Sequence, residues 1–407
     1  MTTAELDPFD LEVLADPYDL YARMRETTPV HYVPSMDLFL VSRYADVRDA
    51  ASRKEEFSSH LTAVIMATAE NHEAVGAELV QLDAGVDAVD VLATADPPDH
   101  TKQRKTVART FRQIEQAEPA IRSVIDSMLA PMVDAGRCDL MGDFALWVPV
   151  RVIAEVLGLP DEDAELIKRG ADCGVELLSG VTPPDRLAEC ITGIIEFSAY
   201  VEDHVANGLT RAPERLFGLL AGFVDDGTIT APEATAIALQ VVIAGSDSTG
   251  NLIGNAVRLL AENPEVQAEV RADLRLIPAY LEEVLRLESP FRGHFRVATR
   301  ATTLGGTDIH EGARLFLMWG SANRDPEVFE HPDELVLHRS NAGDHLGFGW
   351  GVHRCVGAPL ARLEARLALE RLLAATSHIE PRAGAPAPAY VPSMLIRSLA
   401  HLHLEVH

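Results

Sequence analysis

Cys355 stands in a frame of glycines. The run Phe348-Gly349-Trp350-Gly351-Val352-His353-Arg354-Cys355-Val356-Gly357 carries three of them, and a helical pattern, Val356 to Ala375, starts at once behind the cysteine. Glycine lets backbone turn sharply and come close to a flat ligand. At the start of a helix, the positive end of the macrodipole and the free N–H groups favour thiolate over thiol. Those are the needs of a sulfur held on iron, although a buried structural cysteine fits the same composition. Zinc on His345, His353 and Cys355 lacks a fourth ligand at usable spacing.

A second chemical set lies in Ala244-Gly245-Ser246-Asp247-Ser248-Thr249, inside a helical pattern from Thr230 to Glu262. An acid beside hydroxyls can relay protons. Gly245 and Gly250 each cost about 1 kcal/mol against alanine within a helix. Close helix packing accounts for such glycines, and so does a local widening of the helix. His100 and Arg104, at i and i+4 behind Asp96-Pro97-Pro98-Asp99, set two cations on one helical face, suited to carboxylates. Glu283 and Arg286 have the i,i+3 spacing of a helical ion pair.

Taken in chain order, these motifs resemble the cytochrome P450 family. The cysteine run matches the family signature Phe-Gly-x-Gly-x-His-x-Cys-x-Gly at every fixed position: Phe348, Gly349, Gly351, His353, Cys355 and Gly357. The resemblance implies haem b with Cys355 as axial thiolate and metal ligand, Phe348 packed near it, and His353 directed to a propionate. His100, Arg104 and Arg296 would hold the propionates. Ala244 and Gly245, followed by Asp247 and Ser248, resemble the I-helix motif Ala-Gly-x-Asp/Glu-Thr. Asp247 would be the acid and Ser248 the alcohol that supply protons for O–O cleavage, with a widened helix admitting dioxygen and water. Serine replaces the usual threonine, keeping the hydroxyl but losing the methyl that limits its rotamers. Thr249 offers a neighbouring hydroxyl about 100° further round the helix. Glu283, Arg286 and Arg339 would form a buried structural triad fixing the cysteine loop.

Asp16-Pro17-Tyr18, Arg43-Tyr44 and Ala322-Asn323-Arg324-Asp325-Pro326 extend the likeness to soluble bacterial P450s over nearly the whole chain. The implied fold is mainly α: a helix-rich single domain, 1-407, with small β-sheets and a long central I-helix. The implied activity is a monooxygenase, an oxidoreductase incorporating O2, that hydroxylates or epoxidises a hydrophobic small molecule in specialised metabolism. Oxidative C–C or C–N coupling is an alternative, and so is a haem sensor or carrier. With no fused reductase, electrons would come from a ferredoxin, or a flavodoxin, with an NAD(P)H-dependent reductase. Lys102, Lys105, Arg109 and Arg112 cluster on one helix, either as a docking site steered by opposite charge or as a solvated helix face. Phe291, Arg292, His294, Met394 and Leu395 are pocket candidates, roofed by Ser58–Ala95 and the helices around Leu177–Tyr200. Arg292 would bind a substrate carboxylate, or pair with haem or an acid such as Asp247.

The elements that must position these groups are legible as patterns. Of 407 residues, 47% are hydrophobic, enough for a large core, and the net charge of −27 disfavours nucleic acid and anionic membrane. No stretch approaches the roughly 20 apolar residues of a membrane helix, and Met1–Glu5 lacks signal-peptide character; a cytoplasmic protein is expected. Cys138, Cys173 and Cys190 read as buried small hydrophobes. Short strands are predicted at Val30–Val33 and Leu38–Val41 and over Val297–Leu317, where Gly305-Gly306 makes a turn. Helices dominate from Asp99 to Ala261. Thr230 and Glu233 form a capping box for the long helix, and Asn263-Pro264 ends it.

Overall fold

The helix behind Thr230 organises the molecule. In the computed structural model, which describes residues 7–60, 63–68, 76–81, 89–111, 114–178, 182, 184–211 and 213–407, seven helices carry the site. They are α1 (Asp99–Phe111), α2 (Trp147–Leu157), α3 (Ala164–Leu178), α4 (Pro184–Ala206), α5 (Ala231–Glu262), α6 (Ile277–Leu287) and α7 (Ala358–Ala375). The predicted capping box starts α5: the Thr230 hydroxyl accepts from the Glu233 backbone N–H, and the Glu233 carboxylate accepts from that of Thr230. Its 32 residues span roughly 48 Å. From Thr249 to Val257 every residue is buried, as expected of a helix that is not amphipathic but central.

Packing explains one of the two mid-helix glycines and leaves the other for the site. A Cβ at Gly250 would stand 2.8 Å from the Ala145 carbonyl, so the close approach of the chain ahead of α2 demands glycine there. At Gly245 a Cβ would meet only Ile153, at 3.7 Å. Ile153, Val242, Leu252, Val257, Leu369 and Leu372 join α2, α5 and α7 in the main core.

The first two strands form within the predicted bounds, whereas Phe57–Ser58 was not predicted and the strand expected from Val297 begins at His294. β1 (Val30–Val33) pairs antiparallel with β2 (Leu38–Val41) in the register Val30↔Val41. With β3 (Phe57–Ser58), β4 (His294–Ala298) and β5 (Arg314–Leu317) they make a sheet of order β1-β2-β5-β4-β3. Gly305 and Gly306, at φ 55 and 79, turn Thr302–Leu304 back onto Thr307–Ile309. The C-terminal strand His403–Val406 recruits Arg137–Asp139, a strand that the helical pattern around it conceals. Ala63–Thr68 pairs with Gly76–Gln81, while much of the expected Ser58–Ala95 roof lies outside the described residues. No helix among them is long and apolar enough to cross a membrane.

Candidate functional site

A cavity of about 230 Å³ lies between α5 and the cysteine loop. Cys355 is the one cysteine of four that lines it. Gly349 and Gly351, at φ 69 and 72, allow the loop to double back so that the Cys355 N–H donates to the Phe348 carbonyl at 2.8 Å. Helix α7 begins at Ala358, and the N–H groups of Gly357 and Ala358 are directed at the sulfur. Burial pushes the Cys355 thiol up, while those N–H groups, Arg104 and Arg362 pull the other way. The Arg362 guanidinium sits 4.4 Å over the Phe348 ring and pairs with Glu282 at 2.6 Å.

Five basic side chains line the same cavity: His100 and Arg104 from α1, His294 and Arg296 from β4, and His353 from the loop; the four besides His294 make one ring. The His100 and His353 rings are 4.2 Å apart. Burial, then the nearby Arg296, His100, His294 and Arg104, drives His353 down to about 3, and burial brings Arg296 down to about 10. His100 is lowered by burial and then by Arg104. Neither arginine forms an ion pair among the described residues, and Nδ1 of both His100 and His353 is buried without a partner. Such a ring is costly unless anions complete it. Two carboxylates over a flat apolar wall at Ala244 and Gly245 are what it fits, and haem brings both features. The expected cofactor and these residues therefore agree.

Behind the loop, the predicted triad is formed and its side chains are buried. Glu283 and Arg286 are fully buried and joined at 2.7 and 2.8 Å. Arg339 adds bonds of 3.0 and 3.1 Å to the same carboxylate. Arg286 also donates to the carbonyls of Asn323, Pro332 and Glu334. Asn323 carries the order onward, its Oδ1 accepting from the Leu346 N–H at 2.6 Å ahead of the cysteine loop. The arginines hold Glu283 below the usual carboxylate range despite its burial.

On α5, Ser248 and Thr249 both line the cavity and Asp247 does not. The Ser248 hydroxyl donates to the Ala244 carbonyl at 2.6 Å, whereas Thr249 makes no side-chain hydrogen bond among the described residues. The Asp247 carboxylate accepts from Asn251 Nδ2 at 2.8 Å and faces Asp172 and Lys168 of α3. Burial, then the Asp172 charge, raises Asp247 to about 6 against the pull of Lys168 and Asn251. An acid with that value is poised to exchange protons near neutrality.

Three pocket expectations are corrected. Arg292 does not reach the cavity: it is buried, its Nη1 donates to the carbonyls of Leu14 and Ser393, and it pairs with neither Asp247 nor the cation ring. The strand ends at His294, and Gly293 packs so close to Phe316 and Leu317 that the alternation does not carry back to Arg292. Met394 and Leu395 are buried with Phe9, Leu14 and Met36 in a separate apolar cluster. The described residues of α3 and α4 supply none of the lining; α3 covers the Asp247 side of α5, where a Cβ on Gly174 would meet Ile243 at 2.7 Å. Phe291 and His294 do line the cavity, with the indole N–H of Trp319 donating to His294 Nδ1 at 3.3 Å. Lys102, Lys105 and Arg109 are exposed on α1, and Arg112 lies outside the described residues. Gln240, Trp319 and Glu364 also line the cavity and were not singled out from sequence. Gln240 and Ala244, four apart, share a helix face with Ser248, which is the signal that finds it.

A family model described as cytochrome P450 matches residues 219–400. Cytochrome P450 144 of Mycobacterium tuberculosis is 39% identical over 401 residues, covering 98% of this chain and 91% of that protein. The cyclomarin C epoxidase CymV of Salinispora arenicola is 34% identical over 367 residues, 88% of each. The solved structure of cytochrome P450 CREJ with (4-ethylphenyl) dihydrogen phosphate superposes with a TM-score of 0.88 at 27% identity, covering 99% of both chains.

Proposed function

We infer, because this chain belongs to the cytochrome P450 family, that it binds haem b through Cys355 and inserts one oxygen atom from O2 into a hydrophobic small molecule. Family members hold haem b on a cysteine thiolate and are oxidoreductases. The observation that carries the residue assignment is the pairing, across one cavity, of Cys355 with the basic ring His100, Arg104, Arg296 and His353, whose arginines form no ion pair and whose histidine Nδ1 atoms have no partner among the described residues. When bound, haem supplies the iron that activates dioxygen. The basic ring orients the cofactor by its carboxylates, and the N–H groups of Gly357 and Ala358 favour the thiolate against the effect of burial. Asp247, raised to about 6 beside Asn251, takes up and releases a proton close to neutral pH and passes it toward the cavity by side-chain rotation. Ser248 must turn its hydroxyl from the Ala244 carbonyl to receive that proton and hand it on.

The reading includes one domain over 1-407, a cytoplasmic setting, and hydroxylation or epoxidation in specialised metabolism. Electrons come from a ferredoxin docked by opposite charge on Lys102, Lys105 and Arg109. The test is the reduced protein under carbon monoxide: wild type gives the strongly red-shifted Soret band of thiolate ligation, and Cys355→Ala loses it. Persistence of that band in the variant would overturn the assignment. With labelled dioxygen, product carrying the label supports insertion, and unlabelled coupled product refutes it.

A further inference from the structure

The cavity wall opposite the cysteine contains one polar group whose orientation is fixed by elimination. The Ala93 backbone N–H donates to Gln240 Oε1 at 3.0 Å. A backbone N–H can only donate, so the amide oxygen must face Ala93 and the NH2 must face the other way. Gln240 lines the cavity, and its Nε2 has no partner among the described residues. The loop that pins it is itself held hard. Leu92 takes a left-handed φ of 46, an unusual conformation for leucine, and its N–H is bonded to Gln103 Oε1 at 2.9 Å. Gln240 is thus presented as a preorganised donor rather than a mobile side chain.

Its surroundings narrow what it can bind. Leu92, Ala93, Val241 and Phe291 give the neighbouring wall no competing acceptor side chain. Among the described residues the one acid lining the cavity, Glu364 on α7, is held neutral by burial, so a cationic amine finds no counter-charge among them. The basic ring belongs to the cofactor carboxylates in the reading above. What remains for the Gln240 amide is an uncharged oxygen acceptor. We propose that Gln240 is a specificity-determining residue whose N–H binds a carbonyl or ether oxygen on an otherwise apolar substrate. This rests on the haem-thiolate reading and adds the substrate class. Gln240 lies eight residues before Ser248, roughly 12 Å along the same helix face. An oxygen anchored there leaves the opposite end of the apolar body beside Ser248, which makes the remote end the site of oxidation.

The test titrates the ferric holoprotein with matched pairs of polycyclic ketones and their parent hydrocarbons, in a series of increasing size, reading the spin-state shift of the Soret band. Gln240→Leu removes the donor. Gln240→Glu keeps an oxygen for the Ala93 N–H but presents an acceptor to the cavity. The ketone-to-hydrocarbon affinity ratio is expected to fall about ten-fold in both variants, the order of one neutral hydrogen bond. Equal weakening of both ligands in Gln240→Leu, with a wild-type ratio in Gln240→Glu, would show a loop brace only and overturn the proposal. So would a series that gives no shift in wild type. An azole that ligates the iron directly is the control. If the azole shifts all three proteins while the ratio stays constant, the Gln240 assignment alone fails. If it shifts none, the haem-thiolate reading fails and takes the assignment with it.

Discussion

Replacing Asp247 with asparagine tests both the acid and its environment. Asparagine has the same shape, can still accept from Asn251 Nδ2, and never ionises. Asp247 rises from an ordinary 3.8 to about 6 because burial and Asp172 disfavour its charge. The folded protein therefore holds this proton more tightly than the unfolded chain. Its stabilising effect is full below the unfolded value and is lost as pH rises through the folded one. A displacement of about two units corresponds to about 3 kcal/mol of lost stability once the group is ionised. Relative to wild type, Asp247→Asn should gain about 1.5 kcal/mol at pH 5 and level off near 3 kcal/mol above pH 7. For a chain of this size, the plateau is roughly 3–4 °C in melting temperature. Differential scanning calorimetry across pH 5 to 8 measures it. The same variant should lower product formation by roughly 10²-fold, the range of a lost general acid, and abolish the titration near pH 6 that the wild-type product-to-peroxide ratio should show. A stability difference that does not vary between pH 5 and pH 7 would refute the reasoning, because it would mean that Asp247 ionises at its usual value.

Glu283→Ala leaves Arg286 and Arg339 buried against each other, and should cost about 3–5 kcal/mol; denaturant unfolding and loss of retained haem measure it. Ser248→Ala should raise peroxide release several-fold more than Thr249→Ala; the reverse order identifies Thr249 as the proton-donating alcohol. Gly250→Ala should destabilise by about 1–3 kcal/mol through contact with the Ala145 carbonyl. Gly245→Ala should leave the melting temperature unchanged or higher while altering the ligand-induced spin shift.

Much of this architecture was legible because its determinants are local. Thr230 and Glu233 announce the start of α5 by a capping box that needs no distant partner. Val30–Val33 and Leu38–Val41 alternate, or stay apolar, within their own bounds. The signature around Cys355 fixes spacing by backbone geometry. What escaped depends on direction rather than identity. Arg292 looks like a pocket cation until Gly293 is seen to break the strand between it and His294. Met394 and Leu395 face a cluster built from the N-terminal segment, hundreds of residues away in the chain. Arg137–Asp139 becomes a strand only because His403–Val406 arrives beside it. Gln240 was readable as one face with Ala244 and Ser248, but its donor orientation depends on Ala93 across a long loop. Gly245 and Gly250 look alike in sequence, and only the neighbour at Ala145 separates the packing glycine from the cavity glycine.

The triad of Glu283, Arg286 and Arg339 has a consequence for biogenesis. Its Arg286 guanidinium gathers the carbonyls of Asn323, Pro332 and Glu334, its one carboxylate accepts from the Val336 N–H, and the sulfur follows later still. The basic groups at positions 100 and 104 emerge from the ribosome long before that clasp can close. A nascent chain that has not yet reached position 355 therefore has half a porphyrin seat without its thiolate, so cofactor capture should follow synthesis of the cysteine loop, and haem supply should limit maturation rather than translation.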